Sequence, residues 1–122
     1  MTDLTKQAEQ YIAMWNEKDA AARRALIEQL WAPAGRYVDP LTAVAGQEGI
    51  DGVVQAVQGQ FPGMAFTLLG PVDAHHDQAR FGWALGVPGE EAVVVGFDVI
   101  EVDADGRIAT VLGFLDKVPA AA

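Results

Sequence analysis

A chain of 122 residues that is 51% hydrophobic is long enough to close one core and too apolar for disorder. Its 17 acidic against 8 basic side chains leave a net charge of −9, which repels phosphate backbones and anionic lipid, so neither nucleic acid nor a membrane surface is expected as a partner. There is no cysteine, hence no disulfide, thiolate nucleophile or cysteine-bound metal, and no apolar run approaches the ~20 residues that cross a bilayer.

The start, MTDLTKQAEQ, has no basic segment leading into an apolar run, and a cytoplasmic protein is the expectation. Residues 1–122 read as one domain with a core over about 5–117 and a frayed PAAA tail. Leu4, Ala8, Tyr11, Ile12 and Trp15 share one face of a helix over 4–16. Asp19 is the N-cap of a second helix, in which Ala22, Leu26, Ile27, Leu30 and Trp31 share a side and which Pro33 and Gly35 stop. A short strand, Arg36 to Asp39, ends at Pro40. A third helix over about 49–60 carries Ile50, Val53, Val54 and Val57 on one stripe and ends at Pro62-Gly63.

From there the pattern turns to strands at about 64–72, 78–87, 92–102 and 107–117, broken by DAHHD, PGEE and DADG. Three helices followed by a meander of long antiparallel strands predict an α+β domain whose curved sheet lays one face on the helices. The other face has no helix left. Val93, Val95, Phe97 and Val99 alternate onto one side of the third long strand, which predicts a homodimer packed through this outer face.

Within that strand, AVVVGFDVIEV, Asp98 is a carboxylate among apolar neighbours. Left buried and unpaired it would cost several kcal/mol, so it is protonated, paired or facing a wet cavity. Facing a pocket, its pKa rises and the neutral acid becomes a hydrogen-bond donor. Paired, it is structural: a three-residue turn at PGEE sets it opposite Arg80, a four-residue turn opposite Phe81. Asp39 before Pro40 is either a turn residue holding local N–H groups or a base at the end of a strand. Tyr11 belongs to the inward helix face, where core packing alone accounts for it.

The segments YIAMWNEKD (11–19), YVDP (37–40), GQEGI (46–50), ARFGWAL (79–85) and FDVIEVDADGRI (97–108), in this order, resemble the SnoaL-like group of the nuclear transport factor two-like superfamily over residues 5–117. The resemblance implies a cone-shaped half-barrel, a curved antiparallel or mixed sheet packed on three N-terminal helices, with a deep apolar pocket between them. At the polar pocket positions the chain is most similar to ketosteroid isomerase, with Tyr11, Asp39 and Asp98 in comparable places. That likeness implies an enzyme without cofactor, of isomerase or cyclase type, in which Asp39 shuttles a proton next to a carbonyl. Tyr11 and a protonated Asp98 would then donate to the enolate oxygen, a pKa tuning for which ketosteroid isomerase is a standard worked case. The substrate is expected to be a small hydrophobic molecule lined by Trp15, Tyr37, Phe66, Arg80, Trp83 and Phe114. A binding module for an apolar ligand, or a dimerisation domain without a working site, is the rival reading.

His75 and His76 sit in a turn with Asp73 and Asp77. Neighbouring histidines on a turn rarely converge on one ion, and no further histidine exists, so no metal is expected. Arg80 lacks the acidic partner two residues on, and position 113 or 114 the last carboxylate, that a limonene-epoxide-hydrolase-like site needs.

Overall fold

The structure, a computed structural model, describes residues 4–119; Ala120 to Ala122 of the tail lie outside the described residues. Helices α1 (Leu4–Asn16) and α2 (Ala20–Leu30) are followed by strands β1 (Trp31–Val38) and β2 (Ala43–Ala45), then helix α3 (Gln47–Gln60) and the run β3 (Ala65–His75), β4 (Gln78–Gly86), β5 (Val94–Val102) and β6 (Ile108–Lys117). The strands form one open sheet in the order β2-β1-β6-β5-β4-β3. All neighbours are antiparallel except β1 and β6, which run parallel.

The α1 face is the one its apolar spacing dictates: Leu4, Ala8, Tyr11, Ile12 and Trp15 are buried, joined by Met14. The α2 N-cap is Asp19, whose carboxylate accepts the Ala22 N–H at 2.8 Å. Helix α2 ends one residue earlier than its apolar pattern suggests. Trp31 is its C-cap and already the first residue of β1. Pro33 and Gly35 do not stop a helix; they lie in a bulge, since Trp31 pairs with Ile108 and Arg36 with Thr110, and the extra residues between them loop out of the ladder. Strand β2 is too short and alanine-rich to announce itself.

Arg23, on α2, is buried with its guanidinium on the Asp51 carboxylate, the Glu17 carbonyl and the Gln58 side chain. Gln58 in turn donates to the Trp15 and Glu17 carbonyls. One polar network therefore ties α1, α2 and α3 where their apolar faces leave off, and every member has a partner.

Register decides which face each strand residue takes. Phe81 pairs with Asp98 and Arg80 with Val99, so Asp98 shares the inner face with Val94, Ile100 and Val102 while Val95, Phe97 and Val99 point outward. Helices cover only the inner face. On the outer one, Leu69, Leu112 and Phe114 remain exposed and Phe114 stacks on Phe97, centroids 4.9 Å apart. Among the described residues no helix is long and apolar enough to cross a membrane.

Candidate active site

A cavity of about 600 Å³ opens between α1, α3 and the concave face of the sheet, within the usual range for small-molecule sites. Its wall is aromatic. Trp15 lies 5.8 Å from Tyr37 and 5.3 Å from Phe66, and Phe66 lies 5.4 Å from Trp83, centroid to centroid. Asp39 and Asp98 both face this space, and among the described residues no lysine, arginine or histidine lines it.

Asp98 is 4% exposed, yet neither of its oxygens is orphaned. The Tyr11 hydroxyl donates to Oδ2 at 2.8 Å and the Trp83 indole N–H donates to Oδ1 at 3.0 Å. Burial pushes its pKa up from 3.8; the two donated hydrogen bonds pull it back, the charge of Asp39 pushes again, and the outcome is about 6. Tyr11 and Tyr37 are both held neutral, first by burial and then by the acids beside them.

Asp39 sits just beyond β1 and performs the turn duty its sequence position suggests. Its Oδ1 accepts the Leu41 and Thr42 N–H groups at 2.8 and 2.9 Å, closing the turn into β2. Its Oδ2 accepts the Tyr37 hydroxyl at 2.6 Å. The acids approach each other over Gly113. A Cβ there would stand 3.0 Å from Asp98 Oδ1 and 3.3 Å from Asp39 Cβ, so glycine leaves room for both side chains to pack over this point without displacement. Gly96 plays the same part for Trp83: a Cβ would meet its ring at 2.7 Å and the Phe114 carbonyl at 2.3 Å. The indole thus lies flat across β5 with its N–H toward Asp98.

The structure brings Tyr11, Trp15, Tyr37, Asp39, Phe66, Trp83 and Asp98 around one cavity. Arg80 is not with them. It lies on the outer face, exposed, 3.9 Å from the Asp73 carboxylate, because the β4–β5 register pairs Phe81, not Arg80, with Asp98; the ion pair to Asp98 does not form. Phe114 touches the cavity edge while its ring is stacked on Phe97 outside. His75 and His76 are exposed at the β3–β4 hairpin, and no three His, Asp or Glu side chains gather among the described residues as a metal would require. Residues not singled out from sequence complete the mouth: Leu41, Gln60, Phe61 and Val118. They come from three separate segments, and only the exposed Leu41 beside the Asp39 turn carried any hint.

Three helices laid over a curved open sheet, with two acids in an aromatic cavity, define a cone-shaped α+β pocket protein. A family model described as the SnoaL-like domain matches residues 8–111, and the chain belongs to that family. A SnoaL-like protein from Agrobacterium tumefaciens strain C58, provisionally assigned as an isomerase, is 44% identical over 95% of this chain and 99% of its own, with a TM-score of 0.89. An NTF2-like protein of unknown function from Exiguobacterium sp. 255-15 is 19% identical over 90% of this chain and 98% of its own, with a TM-score of 0.72. A provisional SnoaL-like polyketide cyclase from Jannaschia sp. CCS1 is 18% identical over 95% and 90%, with a TM-score of 0.69. No curated protein matches the chain.

The raised pKa of Asp98 has a stability consequence with a definite sign. Folded, the acid holds its proton to about pH 6; unfolded, it releases it near 3.8. Below pH 4 both states are protonated and Asp98 is neutral in its effect. Between pH 4 and 6 the folded state binds more protons, so stability falls as pH rises, by on the order of 3 kcal/mol once above 6. Urea unfolding of wild type and Asp98→Asn at pH 4, 5, 6 and 7.5 isolates this contribution: the wild type is expected to lose stability relative to the variant across that interval, and parallel curves would contradict it.

Proposed function

We propose that the protein is a cofactor-independent enzyme of isomerase or cyclase type that moves a proton at carbon next to the carbonyl of a hydrophobic substrate, with Asp98 as the base. The observation that carries this reading is a single one: a carboxylate on the wall of an aromatic cavity, fixed through both oxygens by neutral donors, with its pKa lifted to about 6. A base works best with a pKa near the operating pH. At pH 7 such a group is ionised by about tenfold over its acid form, so it accepts a proton rather than offering one. This departs from the sequence-based expectation, in which Asp39 is the base and Asp98 a neutral donor.

In the proposed step the C–H electron pair moves into the new C=C bond, the carbonyl π pair moves onto oxygen, and the proton goes to Asp98. Where the substrate carries a β,γ double bond, Asp98 returns the proton to the γ-carbon of the dienolate; otherwise the enolate carbon attacks a second carbonyl in the same molecule, whose π pair moves onto its oxygen, and Asp98 gives its proton to that alkoxide. Tyr37, neutral and on the cavity wall, turns its one hydroxyl proton from Asp39 to the enolate oxygen when substrate is bound, a contribution of roughly 10²–10³ in rate. Tyr11 and Trp83 hold the base in place. Asp39 anchors the Tyr37 hydroxyl, and its charge raises the proton affinity of Asp98. Support for the reaction class comes from the family and from relatives provisionally assigned as isomerase and polyketide cyclase.

With 2-tetralone in D₂O as a hydrophobic ketone, the wild type is expected to accelerate exchange of the protons next to the carbonyl, followed by proton NMR. Asp98→Asn is expected to lower that rate at least 100-fold. Because the base must be ionised, the rate falls about tenfold per unit below pH 6. Asp98→Asn with undiminished exchange would reject the assignment, and a wild type that binds the ketone without exchanging it is a binding module.

We also propose the outer sheet face as the contact with a second copy of the chain. Leu69, Leu112 and Phe114 are exposed on this face, and Leu69 and Phe97 lie with Arg80 and Asp73, exposed opposite charges that can exchange partners across a two-fold axis. Light scattering at micromolar concentration is expected to give twice the mass of one chain; the mass of one chain would reject the pairing.

A further inference from the structure

We infer that the cavity is charge-selective, taking an uncharged hydrophobic carbonyl compound and turning away its carboxylate analogues, with Asp39 as a residue that sets this preference. The inference rests on the reading that this cavity is the substrate site, and it names the substrate class. Two features lead to it. Asp39 and Asp98 both lie on the cavity wall, so a ligand anion seated there meets negative charge. Among the described residues no lysine, arginine or histidine lines the cavity to offset it.

The remaining wall is apolar or aromatic, including Trp15, Phe66, Leu85 and Val94, and cannot solvate a charge. A ligand carboxylate would therefore shed its water and receive no cation in return. A ketone oxygen has no such difficulty. It is a weak acceptor that one phenol satisfies, while fused rings lie against the aromatic wall. The net charge of −9 adds a long-range bias of the same sign, although salt screens that part.

The selectivity is separable from turnover because it is read by binding alone. Quenching of tryptophan emission, with Trp15 and Trp83 both on the wall, reports 2-tetralone against tetralin-2-carboxylate at pH 8. The ketone is expected to bind at least ~100-fold more tightly, the size of like-charge repulsion at contact distance in a partly desolvated site. In Asp39→Asn the ketone-to-carboxylate ratio is expected to fall at least tenfold; circular dichroism verifies that the turn and fold survive. A wild-type measurement needs no variant: between pH 8 and 5, as Asp98 takes up its proton, carboxylate affinity rises several-fold while ketone affinity stays level. A carboxylate within threefold of the ketone at pH 8, a ratio untouched in Asp39→Asn, or a ketone that fails to bind at its solubility limit would overturn the inference. Selectivity without proton exchange would leave it standing and remove only the catalytic role.

Discussion

The removal of one carboxylate from water is the constraint on which the site depends. Asp98 sits on the inner face of a strand whose other inward residues are valine, isoleucine and glycine, where an unpartnered charge would be prohibitive. Two neutral donors, a phenol and an indole, make it tolerable. They satisfy both oxygens without neutralising the charge, in contrast to an arginine, which would have locked the acid in its ionised form. The result is a group balanced near neutrality, where small changes in its surroundings change its protonation state.

That balance is geometrical before it is electrostatic. Tyr11 reaches Asp98 because the α1 periodicity turns it toward the sheet, beside Phe81 and Trp31 at 5.7 and 6.2 Å. Trp83 reaches it because Gly96 leaves room for the indole to lie across β5. Asp39 comes close because β1 runs parallel beside β6 and ends with Val38 opposite Leu112, which sets Asp39 against Gly113. Each device is local, and each comes from a different part of the chain. The site is held from three sides at its base, while the mouth takes Leu41 from a turn, Gln60 from the end of α3 and Val118 from the segment after β6.

The helices and the four long strands were legible from sequence because their hydrophobic periods are long and regular. Trp31 to Gly35 was not: proline and glycine after an apolar helical face read as a stop signal, whereas here they form a bulge inside a strand. Tyr11 was visible on an inward helix face, but Tyr11, Asp39 and Asp98 were grouped only through the resemblance to ketosteroid isomerase. Their roles were not legible, because hydrogen-bond direction depends on which donors stand nearby, and Trp83 was placed in the pocket without its tie to Asp98. Arg80 was misplaced for a single reason: the PGEE turn leaves the β4–β5 register open by one residue, and one residue exchanges the two faces of a strand. The same ambiguity had left Asp98 undecided between a cavity and an ion pair.

The central claim is that Asp98 is a buried base poised near neutrality, and the direct measurement is its own titration. Carbon-detected NMR of the aspartate side-chain carboxyls in the free protein, with the Asp98 resonance assigned by its absence in Asp98→Asn, gives the midpoint. The account expects a midpoint of about 6. A midpoint near the ordinary ~3.9 of an aspartate would contradict it.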